Sequence, residues 1–333
     1  MHSGKVNPDD GFFISDPELG ICHKPGTHKI EGADYSFISS HGNDSLRLTQ
    51  RINGHKTNGA HEHKDEVWVF GCSYTHGWAL NDEETYPWLL QERLPDYRVV
   101  NFGTSGYSTV QSLCQLRRAL NTRKKPKFVI MAYCDSHDPR NTFARSWKKV
   151  FKPYVNGLDN PRFPSGRVDR DGLLKISDVP VNYSPFPLMK KSALVHVIED
   201  GYNWLEEKKL NSHLVSRAAM EELMKACDEF GVKLIVSGLV DSQETKNMLV
   251  YCKREGISVV DLSVNFQEPL QARMQQGTFP DAETNKYYAD RLANFIDGYD
   301  YKVQKKKSKR ARMKNMKKNK PKVEVPSSAI GNN

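Results

Sequence analysis

The sequence predicts a three-layer α/β/α domain built on a parallel sheet of about five strands. From residue 66 onward, short apolar runs alternate with amphipathic helical stretches, and alternation of that kind implies parallel strands covered by helices on both faces. The apolar runs also end in glycine or in short polar side chains, which places chemistry at the carboxyl edge of such a sheet. The elements follow in order. Val67–Phe70 reads as a buried strand stopped by Gly71, and Thr85–Leu94 as a helix with Pro87 in its first turn. Arg98–Phe102 is the second strand, and Ser108–Asn121 a helix capped by Ser108. Lys127–Tyr133 is the third strand, and residues 138–190 form an insertion over the sheet's edge. Helical pattern covers Ala193–Lys208 and Ser212–Phe230, the latter stopped by Gly231. Val232–Ser237, Glu244–Arg254, Ile257–Leu262 and Asn285–Ile296 complete the series as strand, helix, strand and closing helix.

Composition bounds the rest. The chain has 333 residues, 38% of them hydrophobic, and no apolar run of membrane-spanning length. The N-terminus shows no basic start followed by an apolar stretch, so no secretory signal is expected. Six cysteines without CxxC spacing fit reduced thiols in a cytoplasmic protein. The net charge of +9 is concentrated at one end. Residues 302–322 hold 12 Lys or Arg and no acid, so with Glu324 the last 33 residues carry +11 and residues 1–300 carry −2. Three parts are therefore expected: a loop-rich extension over residues 1–64, an α/β domain over 65–300, and a disordered basic tail over 301–333. The tail would attract nucleic acid or another polyanion without reading its sequence, because it has no aromatic residue to stack on bases. It would serve equally as a solubilising tail without a partner. His61 and His63 have a spacing that can bind zinc. No third ligand stands nearby, so a solvated linker is expected there, and the sequence predicts neither a metal nor a cofactor.

Three segments carry candidate chemistry. Gly71-Cys72-Ser73-Tyr74-Thr75-His76-Gly77 follows the first strand. It places Ser73 on a strand-to-helix turn, where it is either an exposed nucleophile or the cap of the next helix. Asn101-Phe102-Gly103-Thr104-Ser105-Gly106-Tyr107-Ser108 follows the second strand, and Gly106 either supplies an N–H to an oxyanion or makes a plain turn. Tyr133-Cys134-Asp135-Ser136-His137-Asp138-Pro139-Arg140-Asn141 follows the third. It crowds charged and hydrogen-bonding groups at the sheet's active edge, or anchors the insertion by salt bridges.

Together the three segments resemble the SGNH (GDSL) hydrolases. The first is similar to the family's block one, with Ser73 on the nucleophile and Cys72 where the family has Asp. The second is similar to block two, with Gly106 on the oxyanion glycine. Asp16-Pro17-Glu18-Leu19-Gly20 and Lys24-Pro25-Gly26 look like the N-terminal extension of many bacterial members. The resemblance implies a flavodoxin-like (SGNH) sheet and attack by Ser73 on an ester or acyl group. It breaks at two places. Block three would put Ala132, Tyr133, Cys134 and Asp135 on Gly-x-Asn-Asp, although Asp135, His137, Arg140 and Asn141 look like a variant loop of some members. Block five would put Phe279 on the catalytic His and Gln276 on its Asp, or Glu283 on the His if Asp281 sets the register. None of the 11 histidines lies beyond His213. Loss of the base from a serine triad costs about a millionfold in rate. Three readings stay open: His137 or His76 as a relocated base oriented by Asp135 or Asp281; Asp281 or Glu283 as a carboxylate base; or a degenerate domain that binds an acylated or carbohydrate ligand. The substrate-binding candidates are Asn141, Arg140, Asp281 and Glu283.

Overall fold

The computed structural model describes residues 11–32, 35–52, 54–57, 64–264, 274–275 and 279–318. The N-terminal extension consists of hairpins: β1 (Phe13–Asp16) with β2 (Gly20–His23), β3 (Gly26–Glu31) with β4 (Ser36–His41), and β5 (Gln50–Ile52) with β6 (His55–Thr57). Asp16 closes the first turn by accepting the N–H groups of Glu18 and Leu19 at 3.0 and 2.9 Å.

The α/β part starts with β7 (Asp65–Phe70), the short turn of helix α1 (Ser73–His76), α2 (Tyr86–Arg93) and β8 (Tyr97–Asn101). Next come α3 (Thr109–Thr122), β9 (Phe128–Tyr133), α4 (His137–Asn141), α5 (Arg145–Phe151) and the hairpin of β10 (Arg162–Val168) and β11 (Leu174–Pro180). The series continues through α6 (Ala193–Leu210), α7 (Ser212–Glu229), β12 (Lys233–Val240), α8 (Gln243–Arg254) and β13 (Ser258–Val264). Two-residue strands β14 (Met274–Gln275) and β15 (Phe279–Pro280) precede α9 (Ala282–Lys318).

Five strands form one sheet in the order β13-β12-β9-β7-β8, and every neighbouring pair is parallel. In chain order that is 2-1-3-4-5 read from β8, the flavodoxin-like arrangement. β9 lies at the centre, and all six of its residues are buried. Alternate residues sort to the two faces. Trp68, Phe70, Val129, Met131 and Val236 join the core with α3, α7 and α8 residues such as Leu113, Leu223 and Met248. On the other side of the domain, α2 meets the start of α9. The Tyr86 N–H donates to Asn285 Oδ1 at 2.9 Å, and the Tyr86 ring stands edge-on to Tyr288. The N-cap expected at Ser108 is present as a reciprocal capping box with Gln111.

Two expectations need correction. Part of the insertion, in α4 and α5, lies at the sheet's carboxyl edge, but its hairpin does not. That hairpin packs on α3 and α7, where Val168, Leu174 and Ile176 cover Val110, Val215 and Ala219. The period-2 alternation of β11 supplies an apolar face, and the helices offer the complementary stripe. The basic tail, expected to be disordered from residue 301, continues α9 through Lys318. Residues 301–318 contain neither Gly nor Pro and are rich in Lys, Arg, Met, Ala and Gln, which favour helix. Residues 319–322 of the basic run lie outside the described residues. The chain divides into two units after Leu292, and residues 293–318 are the described part of the second. Among the described residues, no helix is long and apolar enough to cross a membrane.

One buried cation joins the extension to the sheet. Arg47 is fully buried and bridges the backbones of His41 and Asn101. Its Nε donates to Asp82 Oδ1 at 2.8 Å, Nη1 donates to the carbonyls of His76 and Gly77, and Nη2 to those of Ile38 and Leu80. Lys56 Nζ reaches the other oxygen of Asp82 at 2.8 Å. Burial pushes the Asp82 carboxyl up, but Arg47, Lys56 and the Ser40 N–H outweigh it and hold Asp82 below its usual range. Removing one partner strands a buried charge, so Arg47→Met should destabilise the domain by about 3–5 kcal/mol in urea unfolding. Arg47→Lys should recover little of this, because an ammonium cannot fork to four carbonyls and a carboxylate.

Candidate active site

Ser73 begins α1 directly after β7, at the carboxyl edge of the sheet. It borders a cavity of about 270 Å³. The loop after β8 supplies Ser105 and Gly106, α4 and the residue before it supply Arg140 and Ser136, and α5 supplies Trp147 and Phe151. Gly106 has φ +86°, and a Cβ there would stand 2.4 Å from the Phe151 ring. Only glycine therefore brings this backbone against the aromatic wall. Phe279 on β15 completes the lining beside Tyr74 and Trp78, with ring centroids at 6.2 and 6.4 Å. The residue aligned with the family's base thus stands in the same cavity as Ser73, as a phenyl ring.

Among the described residues that line the cavity, Arg140 is the one charged side chain, and no histidine or carboxylate is present. The Arg140 guanidinium lies over Trp147 at 4.5 Å and donates to the Tyr107 carbonyl at 3.3 Å. Ser105 Oγ and Arg140 Nε are buried without a partner.

The other candidates sit elsewhere. His137 is fully buried, with Nδ1 at 3.2 Å from Thr109 Oγ1 and Nε2 without a partner. A ring nitrogen of His137 and the sulfurs of Cys72 and Cys134 lie within 4.8 Å of one another. Cys72 Sγ and Cys134 Sγ are 3.9 Å apart, and Cys134 Sγ is 3.0 Å from Ser136 Oγ. The hydrogen bond from Cys134 holds Cys72 well below the usual thiol range against burial, with the field of His137 acting the same way. That same bond, with burial, pushes Cys134 up.

Asp135 makes no side-chain bond to His137; Thr109 orients the ring instead. The buried carboxylate of this loop is Asp138, which pairs with His213 at 2.8 Å and accepts from Tyr133 Oη at 2.7 Å. Asn141 does not face the cavity. Its Oδ1 accepts the Val110 N–H at 2.8 Å and its Nδ2 donates to Ser216 at 2.7 Å, tying α4 to α3 and α7. Asp281 caps α9 by accepting the Thr284 N–H at 2.9 Å, and Glu283 is exposed. Neither is among the residues that line the cavity. Gln276, His61 and His63 lie outside the described residues.

His76 faces away from Ser73 into a buried cluster with His23 and His41. Its Nε2 is 3.0 Å from that of His41, and the His23 ring stacks on both partners at 4.1 and 4.6 Å. Sequence reasoning missed this cluster, because its members come from β2, β4 and α1 and share no local pattern. It also missed the meeting of Cys72 with Cys134. That one had a signal: both residues follow adjacent strands of the sheet, and Phe70 pairs with Met131 in register.

The chain resembles the SGNH hydrolases in sheet order and in the placement of their first two blocks. No protein-family model and no curated protein matches it. Among solved structures it is similar to a lipolytic protein of the G-D-S-L family from Desulfitobacterium hafniense DCB-2, at 13% identity and TM-score 0.38, over 69% of this chain and 99% of that one. It is also similar to TesA, at 13% identity and TM-score 0.40, over 68% and 96%. A third likeness is to AlinE4, an SGNH-hydrolase family esterase, at 13% identity and TM-score 0.34, over 60% and 77%.

The histidine cluster sets a pH dependence. Burial holds His23, His41 and His76 well below the usual histidine pKa, so the folded chain keeps all three neutral. The unfolded chain binds protons first as pH falls below about 6.5. Stability is therefore complete above that pH and declines below it. Urea midpoints should drop between about pH 7.5 and pH 5.5, and His76→Gln should flatten that drop.

Proposed function

We propose that this domain binds an acyl-bearing ligand with an anionic head and does not cleave it. The observation that supports this reading is the composition of the cavity beside Ser73. It has an aromatic wall for an apolar chain, one cation in Arg140, and no side chain able to take the Ser73 proton among its described lining residues. Serine attack needs a base within hydrogen-bond reach, and the Ser73 side chain makes no hydrogen bond to a described residue. His137 is bonded to Thr109 and is not among the residues lining the cavity, and His76 is held by its histidine neighbours. The phenyl ring of Phe279 in place of a base excludes water and adds apolar contact instead. In this reading Arg140 meets the carboxylate or acyl head, while Ser73 and Ser105 hydroxyls and the Gly106 N–H stand beside it.

Full-length protein should show no turnover of short p-nitrophenyl esters above that of Ser73→Ala. A medium-chain fatty acid should perturb the fluorescence of Trp78 and Trp147, and Arg140→Ala should weaken that binding by roughly tenfold or more. Ester turnover in the parent that disappears in Ser73→Ala would sink the binding-only reading.

A further inference from the structure

Among the described residues, two clusters of metal-ligating side chains are buried, and their geometries differ. In the histidine cluster the His23 ring lies flat against the other two, so its ring-plane lone pair runs alongside theirs instead of converging with them. Nδ1 of His41 and of His76 and Nε2 of His23 have no partner to orient a ligating ring.

The second cluster converges. Cys72 sits between β7 and α1, Cys134 directly follows β9, and His137 begins α4, so two connections at the carboxyl edge bring the donors together, one from the first and two from the second. All three residues are buried. Zinc–sulfur bonds of about 2.3 Å at a tetrahedral angle put two sulfurs about 3.8 Å apart; here Cys72 Sγ and Cys134 Sγ are separated by 3.9 Å. Metal-binding histidines keep their second nitrogen hydrogen-bonded, which fixes tautomer and ring direction. Thr109 Oγ1 does this at Nδ1 and leaves Nε2, a buried nitrogen without any other partner, for a metal.

We propose that Cys72, Cys134 and His137 form a binding site for one thiophilic divalent metal ion of the zinc class. Two thiols lose their protons to bulk water as the ion enters, so a dication and two thiolates leave the buried site neutral. The hydroxyl of Ser136 lies 3.0 Å from Cys134 Sγ, and Ser136 also lines the cavity beside Ser73. Three protein donors leave one position of a tetrahedral ion for a further ligand. This site stands independently of whether the cavity takes an acyl ligand.

Anaerobic titration of the reduced full-length protein with Co²⁺ tests the assignment. One equivalent should bind with thiolate-to-cobalt charge-transfer absorption and the visible bands of a tetrahedral ion, and Zn²⁺ should displace it. Thr109→Val, which removes only the support of the ring, should keep those bands and weaken binding by about 10–100-fold. Cys134→Ser and His137→Gln should lose the site, while Cys227→Ser and His41→Gln keep it. Lack of a charge-transfer band in the parent protein would overturn the proposal. So would bands that survive Cys72→Ser together with Cys134→Ser, or that vanish in His41→Gln.

Discussion

The buried Arg47–Asp82 pair is the contact on which the rest of the arrangement depends. Five hydrogen bonds leave one guanidinium, and four of them end on backbone carbonyls of two separate segments, β4 at Ile38 and the stretch from His76 to Leu80. A charge in a site with no access to water must be fully bonded to be tolerated. The demand works in both directions. Arg47 needs those carbonyls, and the chain after α1, which has no regular ladder of its own, needs a donor. The extension is thereby bound to the loop that carries Ser73, and the hairpins at the front of the chain become part of the site's support.

That support explains why the cavity has an aromatic wall. Phe13 from β1, Trp78 beyond α1, Phe151 from α5 and Phe163 from β10 belong to one apolar cluster, distinct from the core between sheet and helices. The extension and the insertion share this second core, and the cavity opens within it. Gly106 is held against Phe151 by the same packing. Ser73 therefore stands between two environments. On one side lie apolar rings and a single arginine. On the other lie two thiols and an imidazole at the sheet's edge.

Much of the α/β part was legible in the sequence, because β-strand and helix periodicities are local. The five strands were expected within a few residues of where they occur, as was the Ser108 cap, and strand ends at Gly71, Gly103 and Cys134 pointed to the active edge. The parts that were not legible are those decided by tertiary contact. Asp281 and Asn141 have the chemistry of binding residues, yet backbone N–H groups at helix starts claim both of them. One of the readings the sequence leaves open has His137 serve Ser73 with Asp135 behind it; the ring is instead bonded to Thr109 and lies beside two sulfurs. The hairpins of the extension have weak apolar alternation and take their order from Arg47, a residue whose importance only burial reveals.

Among the described residues that line its cavity, Ser73 has no side chain placed to act as its base. Covalent labelling with a fluorophosphonate probe, read by mass spectrometry at Ser73, tests that claim in a single comparison of the parent protein with Phe279→His. The parent should show no labelling at Ser73 and the variant should be labelled there, since the histidine would occupy the position from which the phenyl ring lines the cavity. Labelling of Ser73 in the parent would contradict it, and would mean that a proton acceptor reaches this serine from elsewhere in the chain.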